Sequence, residues 1–187
     1  MVGHYVSGHF MHNEGVNMEW RDQVSAAIEA SGKLMIFGIG NEMMGDDAAG
    51  SLSARELRML LQGCDHQSVA EVLVAGTNPE NFSGMVREKK PDLVIFIDAA
   101  DMKRPVGDIA FLSPADMHSM MHSTHTMPLS FLGNYLEKIT GAKIIALGIQ
   151  AGQIQLEVPM TREVAESVKS ISKFLHQAII KKLNRSG

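Results

Sequence analysis

The chain has 187 residues, 45% of them hydrophobic, with a formal net charge of −4. That length fits a single domain with a substantial core, and the acidic balance argues against nucleic acid as the main partner. No apolar run approaches the roughly 20 residues that span a bilayer, and the lone cysteine, Cys64, excludes an internal disulfide framework and points to a reducing compartment, the cytoplasm.

Residues 1–32 are expected to form an N-terminal extension. Over 1–18 the chain is polar and aperiodic, with His4, His9 and His12, and reads as a disordered or loosely attached tail rather than a signal peptide. A short helix is expected from Met18 to Ala30, stopped by Ser31-Gly32. Residues 33–187 are expected to form the domain proper. Leu34–Ile39 is an apolar strand that runs into glycines, and a helix after Asp46 carries Leu52, Leu57, Leu60 and Leu61 at helical spacing. Val69–Val74 is the next strand, and Asn78-Pro79-Glu80 marks a helix start with a cap, a proline and an early acid.

Leu93–Ile97 is apolar without alternation, as in a central parallel strand buried on both faces. Gly107–Leu112 is expected as a further strand at an edge, Pro128–Ile139 as a helix, and Ile144–Gly148 and Ile154–Val158 as strands. Thr161 then caps a long amphipathic helix with Val164, Val168, Ile171, Leu175, Ala178 and Leu183 on one stripe. Alternating strands and helices predict an α/β fold, a three-layer α/β/α sandwich around a twisted, mostly parallel sheet of about five strands. The 14 methionines, clustered near Met43–Met44 and Met117–Met127, suit either core filling or an adaptable docking surface.

In such a sheet, ligands bind beyond the carboxyl ends of the strands. Three polar segments fall there: Gly45-Asp46-Asp47, Asp98-Ala99-Ala100-Asp101, and Ser123-Thr124-His125-Thr126-Met127-Pro128. Helix capping accounts for one acid of the first pair; Asp46 is expected to be that cap, leaving Asp47 for another purpose. Asp98 follows five apolar residues, so it is expected to be buried with a partner. Asp101 reads as solvated or as a loop cap, and His118 and His122 have i, i+4 spacing without the glutamate of a zinc-protease helix. Two carboxylates and an imidazole suit an open divalent-metal site. Gly38-x-Gly40 lacks the third glycine of a dinucleotide fingerprint. The chain also has neither a P-loop nor a nucleophile elbow.

Gly40-Asn41-Glu42-Met43-Met44-Gly45-Asp46-Asp47, Gly76-Thr77-Asn78-Pro79-Glu80-Asn81, Ile97-Asp98-Ala99-Ala100-Asp101-Met102, Thr124-His125-Thr126-Met127-Pro128-Leu129 and Gly148-Ile149-Gln150 occur in that order. Over residues 34–180 this set resembles the nickel–iron hydrogenase maturation endopeptidases, especially the branch serving the formate-hydrogenlyase and energy-converting hydrogenases. The resemblance implies a phosphorylase/hydrolase-like α/β/α fold. It also implies an aspartate-dependent peptidase that removes the C-terminal extension of a hydrogenase large-subunit precursor once nickel is in place. It assigns Asp47, Asp98 and His125 as both catalytic residues and metal ligands, with nickel supplied by the precursor and zinc or cadmium as substitutes in crystals. The partner it implies is that precursor, and the working form is a monomer. Ala48 stands where the family often has glycine, Val74 where an acid is common, and Ala151 where proline is common. A non-cleaving nickel-sensing chaperone and a small-molecule metal-dependent hydrolase are the alternative readings of the same ligand set.

Overall fold

The computed structural model describes residues 19–120 and 128–186. Its five strands are β1 (Leu34–Ile39), β2 (Ala70–Gly76), β3 (Leu93–Ala100), β4 (Ile109–Leu112) and β5 (Lys143–Gln150). They form one sheet in the order β2-β1-β3-β5-β4, with β4 antiparallel to β5 and all other pairs parallel. The helices are α1 (Trp20–Glu29), α2 (Ala49–Leu60), α3 (Ser83–Lys89), α4 (Pro114–Met120), α5 (Leu129–Thr140) and α6 (Arg162–Ser186).

Because strand side chains alternate between faces, the continuous apolar runs of β1 and β3 supply two cores at once. Ile36, Ile95 and Ile97 pack with α1, α2 and α6, while Phe37, Val94 and Phe96 pack with α3, α4 and α5. The result is the expected three-layer sandwich, with its antiparallel edge strand close to where the sequence puts one. The α6 stripe also lies where its periodicity requires, with Val164, Ile171 and Leu175 fully buried.

Three expectations change. Residues 19–32, grouped with the extension on sequence grounds, share the core of the domain: Val24, Ala27 and Ile28 are buried with α6, and Trp20 meets Phe174 edge-on at 5.0 Å. Residues 1–18 lie outside the described residues. Ile154–Val158 is not a strand. β4 already occupies the place beside β5, and the 151–161 backbone bonds instead to the turn after β1, through Asp46 N–H to Gln153 O at 3.0 Å and Glu157 N–H to Met43 O at 2.8 Å. Finally, α4 adds a helix before the region of residues 121–127, where the sequence carries no clear periodic signal.

The chain steps from β1 to β2 on one side and then crosses to β3 on the other. The carboxyl ends of β1 and β3 therefore bound the crevice where open α/β sheets bind ligands. Helix α2 rests directly on that junction because Gly50 has no side chain. A Cβ there would stand 1.9 Å from Ile97 O and 2.3 Å from Ile39 O. Gly50→Ala gains about 1 kcal/mol in helix propensity, but it meets two backbone oxygens that cannot swing aside. We expect a net loss of about 3 kcal/mol, read from urea denaturation; an unchanged midpoint would show that α2 can lift off the sheet.

Candidate active site

The site grows from the end of β1. Gly40 adopts φ +125°, a conformation open to glycine, and a Cβ there would lie 1.7 Å from the Asp47 carbonyl oxygen. The chain doubles back so closely that Gly40 O accepts a hydrogen bond from Ser51 Oγ at 2.8 Å. A 3-10 turn, Gly45–Ala48, then leads into α2 and packs against β3. Within it Asp47 is 2% exposed, and its Oδ2 accepts the Asn41 N–H at 2.8 Å. That bond ties the carboxylate to the start of its own loop and fixes its direction.

Asp98 sits two residues before the end of β3 and is 1% exposed. By strand alternation it falls on the face of Val94 and Phe96, the side covered by α4 and α5. Its Oδ1 accepts the Ala99 N–H at 2.9 Å. The structure thus sets the turn carrying Asp47 against the strand carrying Asp98, at the crevice between β1 and β3. His125 and His122 lie outside the described residues, between α4 and α5, and His118 belongs to α4. Among the described residues no group of three His, Cys, Asp or Glu side chains converges as a metal centre.

Asp46 differs from the expectation that it caps α2. It is fully buried, and its partners come from the far end of the chain. Oδ2 accepts Gly152 N–H at 2.8 Å and Gln153 N–H at 2.9 Å. Oδ1 accepts Thr161 N–H at 2.7 Å and the Thr161 hydroxyl at 3.0 Å. Thr161 is the residue before α6, so Asp46 braces the start of α6 and the loop after β5. A local cap satisfies only its own helix; a buried carboxylate needs several donors, and here the sheet brings them from more than 100 residues away.

Gln150, quoted in a motif but given no role from sequence, does similar work at the end of β5. It is 6% exposed, and its Oε1 accepts Met102 N–H at 2.7 Å and Arg104 N–H at 3.2 Å. The turn following Asp98 is therefore held by the neighbouring strand. Asp101 caps that turn locally, accepting Lys103 N–H and pairing with the Lys103 ammonium. The only sequence signal for the Asp46 brace is the redundancy of two adjacent acids. In Asp46→Asn, one carboxylate oxygen becomes an amide donor facing other donors. We expect a loss of about 2–4 kcal/mol, measured as a lowered thermal midpoint by circular dichroism; an unchanged midpoint would refute the brace.

Comparison with known proteins places these features in a family. The profile described as hydrogenase maturation protease of the HycI type matches residues 57–178. The chain is 35% identical over 134 residues to the hydrogenase 3 maturation protease of Escherichia coli K12, covering 71% of this chain and 82% of that protein. A crystal structure of a [NiFe] hydrogenase maturation protease from Thermococcus kodakarensis superposes with a TM-score of 0.75 at 28% identity, over 84% of this chain and 98% of that one. The solution structure of an E. coli endopeptidase of the same type gives 0.67 at 32% identity, over 78% of this chain and 90% of that one. With its motifs in order, its α/β/α sheet and its buried acids at the β1–β3 crevice, this chain belongs to the hydrogenase maturation protease family.

Proposed function

We propose that this endopeptidase removes the C-terminal extension of a nickel–iron hydrogenase large-subunit precursor after nickel insertion. In this reading it acts as a cytoplasmic monomer, and Asp47, Asp98 and His125 complete the coordination of the precursor's nickel. The observation that supports the proposal is the packing of the turn that carries Asp47 on β3, the strand that carries Asp98, both carboxylates being nearly inaccessible to water. A buried acid carries an electrostatic cost that a divalent cation bound to it would offset. Among the described residues no helix is long and apolar enough to cross a membrane.

Carboxylate oxygens with one imidazole form a donor set suited to a borderline divalent ion. When presented by the precursor, nickel supplies a Lewis acid that polarises the scissile carbonyl. The chain's own residues do the positioning. Asn41 N–H holds one oxygen of Asp47, Ala99 N–H holds one oxygen of Asp98, and the apolar sheet beneath excludes bulk water. The two carboxylates also offer proton acceptors for an attacking water. Because the ion belongs to the partner, the test for nickel and the cut share one set of side chains.

Asp47→Asn, Asp98→Asn and His125→Gln are each expected to slow processing of nickel-loaded precursor by about 10²–10⁴-fold, with thermal melts close to wild type. Mass spectrometry of the precursor over time reads the outcome, and wild-type processing by Asp98→Asn would reject the assignment. Precursor prepared without nickel is expected to stay uncut by the wild-type enzyme; efficient cleavage of it would remove the metal from recognition.

A further inference from the structure

Two of the large apolar side chains most exposed to solvent stand on neighbouring backbone segments, one of them the loop that leads into the turn carrying Asp47. Met43 is 60% exposed and Leu156 is 61% exposed. They come from opposite ends of the chain, and the Glu157 N–H to Met43 O bond at 2.8 Å sets their backbones side by side. Val106, 39% exposed, borders the start of the same loop as Leu156: both of its methyl carbons lie 3.0 Å from where a Gly152 Cβ would stand. The platform beneath is firm, since Gly152 and Gln153 N–H both end on Asp46 Oδ2. Glu157 is held at φ +59°, a left-handed conformation costing on the order of 1–2 kcal/mol in a non-glycine residue. The backbone strain thus falls on the residue next to Leu156.

We infer that Met43, Leu156 and Val106 form the docking patch for the folded body of the precursor, beside the segment being cut. This rests on the function proposed above and names the surface that selects the substrate. The occupant follows from continuity: Met43 lies in the loop that leads into the turn carrying Asp47, so a substrate held at Asp47 has this surface at its side. An enzyme that severs one bond in a folded protein draws its selectivity from contacts away from that bond. A small apolar cluster at the centre of an interface is where such binding energy concentrates, and methionine adapts to the surface it meets. The exposed Met59 is at the other end of α2, about 18 Å along a helix of 12 residues, and serves as a control of the same chemistry.

The test measures the dissociation constant of nickel-loaded precursor by titration calorimetry, together with KM and kcat for processing, in Met43→Asp, Leu156→Asp and Met59→Asp. We expect the first two to raise both the dissociation constant and KM by about tenfold or more with kcat unchanged, and Met59→Asp to match wild type. Because the binding measurement does not depend on turnover, it reads the patch even if wild type fails to cut, which would count against the proposed function alone. Wild-type affinity in Leu156→Asp would overturn the docking patch. So would a wild-type dimer in light scattering that Leu156→Asp dissolves with precursor affinity intact, because the occupant would then be a second copy of the chain.

Discussion

The carboxylate of Asp46 is the contact on which the site depends. Four hydrogen bonds from Gly152, Gln153 and Thr161 converge on its two oxygens in full burial. A charge removed from water is tolerable only when its hydrogen-bonding capacity is filled, and here that requirement draws the loop after β5 and the first residue before α6 onto the turn after β1. The adjacent residue, Asp47, inherits a fixed backbone, and its own carboxylate holds the Asn41 N–H. In the proposed function one acid organises the chain while its neighbour is available for chemistry, a division of labour that a helix cap alone does not offer.

The second constraint is steric. Glycine at positions 38 and 50 lets α2 settle onto β1 and β3: a Cβ on Gly38 would meet Gly50 O at 2.2 Å, and one on Gly50 would meet Ile97 O at 1.9 Å. With larger residues the helix would stand off, and the turn carrying Asp47 would leave β3 with it. The electrostatic and steric constraints act on the same stretch, residues 38–50, from opposite sides, one pulling the turn toward the 152–161 loop and the other lowering it onto the sheet. Between them the crevice acquires a rigid wall, as the proposed test for a metal ion would require.

In the proposed function this arrangement would also separate recognition from reaction. The buried acids and the strand ends are shaped by backbone hydrogen bonds and close packing, and leave little freedom to adapt. The exposed apolar residues sit above them on loop backbone, where a partner's surface can be read without disturbing the acids. A loop serving as a docking wall would be too mobile without an anchor, and the anchor it has is the residue next to a proposed ligand. On that proposal, recognition of the protein partner and the geometry at the ion would be mechanically linked through a single dipeptide, Asp46-Asp47.

Much of the fold was legible in the sequence because its signals are local. The apolar runs of β1, β3 and β5, the capped amphipathic stripe of α6 and the proline start at Pro79 report burial and periodicity within a few residues, and the elements lie close to where those signals put them. The ordered motifs likewise announced the family. What only the tertiary structure decided depends on segments far apart in the chain. Ile154, Leu156 and Val158 alternate as a strand would, yet form a loop, because β4 already holds the place beside β5. Residues 19–32 look separable, yet Ile28 is buried against α6. Asp46 reads as a cap because that is the nearest use for an acid beside a helix, but its donors lie more than 100 residues away. The sequence can state that a buried carboxylate needs partners; only the folded sheet, by bringing distant backbone N–H groups to one point, determines which ones it has.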